Sequence, residues 1–171
     1  IALMRQNQDG TLDATFGTGG IVITALGGGD DQAYALIQQG DGKLVVAGSS
    51  HNGVNTDVAM VRYQYNGSLD PTFNGTGKRV VAIGTGVDSA YALLQTSTGK
   101  LVIAGNSSND FLIARFNNDG SFDTSFDSDG KATVAVSAGF ETAQALTQQA
   151  DGKYVLAGYA NNGTNADVAL A

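Results

Sequence analysis

Short runs of apolar residues, separated by turns rich in Gly, Asn and Asp, make up most of this chain. The runs 44–47 and 101–104 are apolar at every position, and a Gly-Lys pair precedes each of them. Apolar runs of this length, bounded by turn residues, indicate buried β-strands, and no segment longer than about ten residues has apolar positions at helical spacing. The pattern therefore predicts an all-β protein.

These runs belong to one unit that occurs three times. The first repeat contains Ala33-Tyr-Ala-Leu, followed by Gly-Lys43-Leu-Val-Val-Ala-Gly. Closely similar pairs of segments surround Lys100 and Lys153. A period of about 55 residues is typical of repeat arrays and propellers. The chain divides into repeat 1 (1–57), repeat 2 (58–110), repeat 3 (111–167) and the start of a fourth copy (168–171).

Each unit contains four predicted strands. The third and fourth are separated by Asp-Gly or Thr-Gly, and Asp-Gly between two apolar runs is a strong signal for a tight hairpin, since the turn needs positive φ. The sheets are therefore expected to be antiparallel. The predicted strands are 57–63 and 110–116 for the first, 20–25, 78–83 and 131–136 for the second, 33–38, 90–95 and 143–148 for the third, and 44–47, 101–104 and 154–157 for the fourth.

The burial pattern favours a propeller. An ordinary antiparallel sheet has one polar face, whereas the fourth strand of the unit is apolar on both faces. Small antiparallel sheets packed between two neighbours are the blades of a β-propeller. The third strand carries small residues on one face, as at Ala33 and Ala35, so we predict four-stranded antiparallel blades with this strand innermost. A β-solenoid of parallel coils is the alternative, and the Asp-Gly hairpins argue against it.

The combined motif resembles that of a bacterial repeat family. Leu-Asp-x-Thr-Phe-Gly-x-x-Gly is followed by Ala-x-Ala-Leu, by Asp-Gly-Lys-hydrophobic-Val-hydrophobic-Ala-Gly and by hydrophobic-Ala-Arg-Tyr. This order resembles the delta-60 repeat over essentially the whole chain, although Asn74 and Asp127 replace the Gly after Phe, and Thr98 replaces an Asp. The resemblance implies a propeller-like fold in a large, exported protein of unassigned biochemical function. It implies no catalytic residues.

Arg, Asp and Phe recur at fixed places in all three units. One interpretation is an acid with an electrostatic partner at an active site. The other is a structural pair, in which a guanidinium holds a carboxylate or loop carbonyls and fixes the Leu-Asp-x-Thr-Phe connection to its blade. We favour the structural interpretation, because a catalytic site is normally unique within a propeller, and we expect the Phe side chains to fill the same connection. These positions are Arg5, Arg62 and Arg115, Asp13, Asp70 and Asp123, and Phe16, Phe73 and Phe126.

The turn after each Arg has side-chain oxygens at alternate positions. In the third copy these belong to Asn117, Asp119 and Asp123, a pattern that resembles a calcium-binding loop. The middle copy lacks two of these ligands. An Asx turn, in which short side chains bond their own backbone, accounts for the same residues and is the favoured interpretation. No cofactor other than calcium is suggested by the sequence.

Charge and composition narrow the function classes. The net charge of −7 argues against nucleic acid or an anionic membrane as a partner, and no apolar segment is long enough to span a bilayer. The chain has no Cys, and His51 is its only His, so a His-based metal site or a Ser-His-Asp triad has little support. We therefore expect no enzyme activity. Low charge with abundant Asn, Gln, Ser, Thr and Gly favours an extracellular or cell-surface protein.

Length variation is confined to one connection of the unit. Segments 49–57 and 159–167 are long, whereas 106–110 is short. Surface connections of this kind often carry function, so we expect the two long loops to bind a protein or glycan. The predicted function is a non-enzymatic exported scaffold or binding module. The alternatives are a structural unit that joins chains through open blade edges and a non-catalytic part of a larger propeller enzyme.

The two ends of the sequence correspond to the same strand of the unit. The last four residues, 168–171, align with 58–61 and with 1–4, so we expect the chain to be part of a longer array. Three blades are also too few for a closed ring, because propellers usually have four to eight. We therefore expect unpaired blade edges, which recruit strands from another copy or from the continuing array.

Overall fold

A computed structural model describes residues 1–171 of the protein. It consists of strands and loops, and contains no helix of the length and apolar character needed to span a membrane. The strands are β1 (Ala2–Met4), β2 (Ile21–Ile23), β3 (Asp31–Gln38), β4 (Leu44–His51), β5 (Thr56–Tyr63), β6 (Lys78–Val81), β7 (Asp88–Gln95), β8 (Leu101–Ser107), β9 (Asp110–Phe116), β10 (Lys131–Val134), β11 (Glu141–Gln148), β12 (Tyr154–Asn161) and β13 (Ala166–Leu170).

The strands form four sheets. Sheet 1 pairs β1 with β2, sheet 2 has the order β3-β4-β5-β6, sheet 3 has the order β7-β8-β9-β10, and sheet 4 has the order β11-β12-β13. Every strand pairing is antiparallel. The predicted all-β class with four-stranded antiparallel blades is therefore confirmed, and the parallel coils of a solenoid are not the architecture of this chain.

Sheets 2, 3 and 4 each take their strands from two consecutive repeats. In sheet 2, β3 and β4 belong to repeat 1, whereas β5 and β6 belong almost entirely to repeat 2. The sheets are thus offset from the sequence repeats by half a unit. The strands β3, β7 and β11 lie at one edge of their sheets, and β7 contacts both β3 and β11. The strands that contain the Ala-x-Ala-Leu sequences therefore form the common inner side of the blades.

A bulge in the inner strand explains the Gly that ends the Ala-Gly motif. The register between β7 and β8 shifts after Ala90. A Cβ added to Gly105 would lie 1.9 Å from the carbonyl oxygen of Ser89, and the same distance is found in the other two blades, at Gly48 and Gly158. No real Cβ approaches a carbonyl oxygen so closely. The close approach of two backbones at each bulge therefore requires Gly.

The core lies between neighbouring sheets. Its largest cluster joins sheets 2 and 3 and includes Met60, Ile103 and Phe116. Smaller clusters join sheets 3 and 4 around Leu156 and sheets 1 and 2 around Phe16. Strands β4 and β8 are buried along most of their length. Neighbouring parts of the protein cover both faces of these strands. This explains why consecutive residues at the start of each strand are apolar.

The connections lie at two opposite ends of the sheets. One end, here called the lock face, carries the tight turns of the β3–β4, β7–β8 and β11–β12 hairpins, together with the long connections 64–77 and 117–130. The other end, here called the loop face, carries the connections 52–55, 108–109 and 162–165. Antiparallel strands place successive connections at alternate ends, so the two sets cannot mix.

The variable loops are shorter than the sequence pattern predicts. Strand β4 continues to His51 and β5 begins at Thr56, so the loop consists of residues 52–55 rather than 49–57. The polar end of β4 still pairs with β5, because ladder hydrogen bonds are made by the backbone and do not require apolar side chains. The second long loop is shortened in the same way, to residues 162–165.

Candidate functional site

Arg62 is the centre of a hydrogen-bonded cluster at the lock face. Its Nε donates to Asp70 Oδ2 over 2.7 Å, and its Nη2 donates to the Thr72 hydroxyl over 2.8 Å. Asp70 Oδ1 accepts in turn from the amide and the hydroxyl of Thr72. The guanidinium lies 5.0 Å from the centroid of the Phe73 ring. The Arg62 and Asp70 side chains are only 2% and 0% exposed, so this charge-assisted pair is shielded from solvent.

The same cluster is present in the other two copies. Arg5 Nε donates to Asp13 over 2.8 Å, and Arg115 Nε donates to Asp123 over 2.8 Å. Both Arg side chains are more exposed than that of Arg62, at 34% and 22%. The structure thus brings together the Arg and Asp of each unit, with each guanidinium over the Phe of its own unit, at Phe16 and Phe126.

The Arg side chain also joins one blade to the next. Arg62 Nη1 donates to the backbone carbonyl of Asn118, and to the side-chain oxygen of the same residue over 3.1 Å. In the preceding unit, Arg5 Nη1 donates to the Tyr65 carbonyl over 2.5 Å. Each acceptor lies in the turn of the following unit. The cluster therefore stabilises both a connection within one unit and the contact between neighbouring blades.

The carboxylates of this cluster are held in their ionised form. A hydrogen bond from the Ser125 hydroxyl is the main cause that lowers the pKa of Asp123 to about 2, with neighbouring cations contributing. Burial alone would raise the pKa of Asp70, but the hydroxyl and amide of Thr72 and the charge of Arg62 lower it below its ordinary value. A general acid or base works best with a pKa near the operating pH. These groups are suited to permanent ion pairs rather than to proton transfer.

The turn 117–123, which contains the calcium candidates, is bonded to donors of the protein itself. Asp119 Oδ1 accepts from the amide and the hydroxyl of Ser121 over 2.9 and 2.7 Å. Asn117 Oδ1 accepts from Lys100 Nζ over 2.5 Å, and Asp123 belongs to the Arg115 ion pair. This geometry is that of an Asx turn. Nowhere in the chain are three His, Asp or Glu side chains grouped in a way that could hold a metal ion.

A polar cavity of about 220 Å³ opens at the loop face between sheets 2 and 3. Gln32 is paired with Ser49 in sheet 2, and His51 is paired with Thr56. Directly paired residues, and residues two apart along a strand, point to the same face of a sheet. These four side chains therefore share one face, and they line the cavity together with Asp30, Tyr34 and Ser89.

The cavity begins where the apolar face of sheet 2 ends. Along β4, Val45 and Ala47 lie on this face and belong to the core between sheets 2 and 3. The next two residues on the same face are Ser49 and His51, which are polar. Because hydroxyl and imidazole groups keep hydrogen-bonding capacity that an apolar core cannot satisfy, the packing between the sheets opens into a polar cavity at this level.

The cavity-lining residues differ from blade to blade, unlike the scaffold residues beside them. Gly48, next to Ser49, is Gly in all three blades, whereas the cavity position itself changes. Sequence analysis placed Ser49, His51 and Thr56 in the variable loop 49–57, but it missed Gln32 and Ser89 because it looked for identity between the repeats. A search for differences within otherwise identical strands could have found them. In the order of sheets 2, 3 and 4, the position of Gln32 is occupied by Gln32, Ser89 and Thr142. The position of Ser49 is occupied by Ser49, Asn106 and Tyr159.

An aromatic surface adjoins the cavity on the inner side of the blades. The Tyr34 and Tyr91 rings lie with their centroids 4.7 Å apart at an interplanar angle of 43°. Tyr34 lines the cavity and is 42% exposed, while burial raises the pKa of Tyr91. The equivalent residue of the third blade is Gln144. The Tyr34 ring is therefore partly exposed beside the polar side chains of the cavity.

The loop beside the cavity is ordered by Asn side chains. Asn52 Oδ1 accepts from the amides of Val54 and Asn55 over 2.8 and 3.1 Å. Asn55 Nδ2 donates to the Gly86 carbonyl of the next blade over 2.9 Å. The loop 162–165 repeats the internal part of this pattern. Both long loops are thus defined structures rather than open chain.

These observations define the protein as a β-propeller-type repeat protein, with one face built from identical clusters and one face that varies. The chain belongs to a family described as a domain of unknown function (DUF5122) beta-propeller, whose model matches residues 39–73, 96–126 and 149–171, more than half of the chain. No curated protein and no solved structure shows significant similarity to the chain.

Proposed function

We propose that the protein is a non-enzymatic, exported binding module whose loop face presents variable residues to a protein or glycan partner. The observation that carries this proposal is the difference between the two faces. The lock face repeats the same Arg, Asp and Phe cluster in each unit. The loop face combines a polar cavity, loops of unequal length and side chains that change from blade to blade.

Further observations argue against a catalytic site and favour an exported location. The imidazole of His51, the only His of the chain, accepts a hydrogen bond through Nδ1 from the Gly53 amide of its own loop, and no Ser or acidic side chain is hydrogen-bonded to it. The Asp carboxylates of the lock face form ion pairs with Arg side chains. The resemblance to the delta-60 repeat, found in large exported bacterial proteins, together with the net charge of −7, supports an extracellular or cell-surface location.

The test is binding to an array of immobilised glycans and extracellular proteins. In one variant, residues 52–55 are replaced by the two-residue Ser-Asn turn found at 108–109, and in a second variant residues 162–165 are replaced in the same way. We expect a bound partner to be lost or strongly weakened by at least one replacement. The control is Ser97→Ala, an exposed substitution at the lock face, which should leave binding unchanged.

Two outcomes contradict the proposal. One is a partner whose binding survives both loop replacements in proteins that keep the wild-type unfolding midpoint. The other is binding by the intact chain that does not exceed that of the variant with both loops replaced. Loss of binding in the Ser97→Ala control alone would place the partner at the lock face and would equally overturn the proposal.

A second candidate function is the joining of chains through blade edges. Strand β13 pairs with β12 on one side only, and its Val168 and Leu170 side chains are 88% and 67% exposed. Exposed apolar edge strands template pairing with further strands, which another copy of the chain or a continuing array would supply. This observation concerns a different part of the molecule from the loop face, so the two functions are compatible and separately testable.

A further inference from the structure

We propose that the loop-face cavity between sheets 2 and 3 binds one unit of a neutral carbohydrate, through polar contacts to Gln32, Ser49 and Thr56 and stacking on Tyr34. This inference rests on the proposed binding function and specifies its ligand class. The cavity has a volume of about 220 Å³ and opens beside the ordered loop 52–55. A bound sugar would thus have room for a connected chain to continue over the loop.

The chemistry of the lining matches a ligand that is rich in hydroxyl groups. A Ser or Thr hydroxyl offers one donor and two acceptor positions. The Gln32 amide oxygen already accepts from the Tyr34 hydroxyl, so this side chain offers its two amide donors and one remaining acceptor position. Sugar hydroxyls need the same combination of donors and acceptors. Only Tyr34 among the lining residues is hydrophobic, so an apolar peptide side chain would displace hydration from the polar groups without replacing their hydrogen bonds.

The charge of the site excludes acidic ligands. Neither Lys nor Arg lines the cavity, Asp30 is one of its lining residues, and the net charge of the chain is −7. A phosphate, a uronic acid or another anion would enter a field of its own sign. A metal ion is equally disfavoured, since Asp30 and His51 are the only lining side chains of the types that commonly bind metals, and no metal-binding group is formed.

The exposed ring of Tyr34 supplies the orienting surface. Its neighbour Tyr91 holds it from one side, with the ring centroids 4.7 Å apart. The face of an aromatic ring carries partial negative charge, and the C–H groups on one face of a sugar ring carry partial positive charge. A sugar that stacks on this ring turns its hydroxyl-bearing edges toward the polar side chains of the cavity.

The experiment is a titration followed by NMR chemical-shift changes, using maltotetraose, cellotetraose, mannotetraose and N-acetylchitotetraose as neutral probes and tetragalacturonate as the acidic probe. We expect saturable binding of at least one neutral probe. Gln32→Ala, Thr56→Val and Tyr34→Leu should each weaken it by about tenfold or more. The matched control is Gln38→Ala, which removes an exposed Gln from the same strand at the lock-face end and should leave the Kd unchanged.

Several results overturn the proposal. These are the absence of saturable binding of every neutral probe at millimolar concentration, equal or tighter binding of tetragalacturonate, and a Kd that Gln32→Ala and Tyr34→Leu leave unchanged in folded protein. If no sugar binds but the loop replacements still abolish binding of a protein partner, only the carbohydrate assignment fails. If neither sugars nor proteins depend on the loop face, the proposed function fails as well.

Discussion

The ring of Phe73 lies against Gly120 of the following unit, so closely that a Cβ added to Gly120 would come within 2.8 Å of a ring carbon. Gly120 also has a φ of 88°, in a region that residues with side chains seldom adopt. Because the ring is fully buried beneath the Arg62 guanidinium, it has no room to move aside. This contact couples the connection of one unit to the turn of the next.

The first prediction concerns this contact. Gly120→Ala should destabilise the protein by about 1–3 kcal/mol more than Gly10→Ala, because overpacking against a fixed ring adds to the backbone strain. Gly10 is the equivalent residue of the first unit, with a φ of 86° and no atom within 4 Å of an added Cβ. Urea unfolding of both variants measures the difference. Equal losses would show that backbone strain alone accounts for the Gly at this turn.

The second prediction concerns the Arg of the lock face. Arg62→Lys should reduce the free energy of unfolding by about 1–3 kcal/mol, since an ammonium cannot bond Asp70, Thr72 and Asn118 together as the planar guanidinium does. Arg115→Lys should cost less, because its side chain is 22% exposed rather than 2%. A loss as large at Arg115 as at Arg62 would contradict the importance of burial and of the bond to the next blade.

The third prediction concerns the bulge in the inner strand. Gly105→Ala should destabilise the protein by about 3 kcal/mol, at the upper end of overpacking effects, because its Cβ would meet the Ser89 carbonyl at 1.9 Å. The control is Gly40→Ala, since no atom lies within 4 Å of that site and its φ is outside the left-handed region. Thermal or urea unfolding gives the comparison. A Gly105→Ala protein with wild-type stability would mean that the two backbones can separate at little cost.

The fourth prediction concerns pH. The folded-state pKa of Asp123 is lowered to about 2, below the ordinary value of about 3.9 expected in the unfolded chain. Its contribution to stability is therefore complete above the unfolded-state pKa and is lost as the pH falls through the folded-state pKa. The difference in unfolding free energy between wild type and Asp123→Asn should be constant from pH 7 to pH 5 and shrink toward pH 2.

The control for this measurement is Asp127→Asn, at an exposed position where the preceding unit has Asn74. If the Arg115 ion pair is the cause, the pH-dependent change should be larger for Asp123→Asn than for this variant. If the two variants show the same pH profile, the ion pair with Arg115 does not hold Asp123 in its ionised form. Unfolding by urea at several pH values between 2 and 7 provides both profiles.

The fifth prediction concerns the edge strand β13. We expect the 171-residue chain to self-associate at micromolar concentration, and Val168→Lys to reduce this association, because a charged residue on an edge strand opposes strand pairing. Val54→Lys is the matched control, since Val54 is 90% exposed in a loop and Val168 is 88% exposed on an edge. Light scattering measures both. Association that responds equally to the two substitutions would be nonspecific.

Local residue patterns were enough to predict much of the lock face. The Asp-Gly pairs correspond to tight hairpin turns, because positive φ at Gly42 and Gly152 is a local property of the turn. The presence of Asn74 and Asp127 in place of Gly also has a local explanation. Both residues have positive φ, 49° and 46°, and Asn and Asp tolerate that conformation better than other residues with side chains.

The loop face was predicted far less well. The segment 49–57 was expected to be a loop because its side chains are polar, but backbone pairing extends β4 to His51. The cavity was not predicted at all. Its residues Gln32 and Ser89 come from inner strands of different blades, and polar residues of this kind carry no local signal that distinguishes a cavity wall from an ordinary surface.

The amino-acid sequence by itself determined the repeat, the β-strands and the antiparallel blades, because apolar periodicity and turn chemistry act over a few residues and recur in every unit. Only the tertiary structure decided that sheets 2, 3 and 4 combine parts of two units, that Arg62 reaches Asn118, and that Tyr34 borders a polar cavity. These features depend on how separate sheets lie against each other. Packing of that kind is set by contacts between residues distant in sequence, which no short pattern contains.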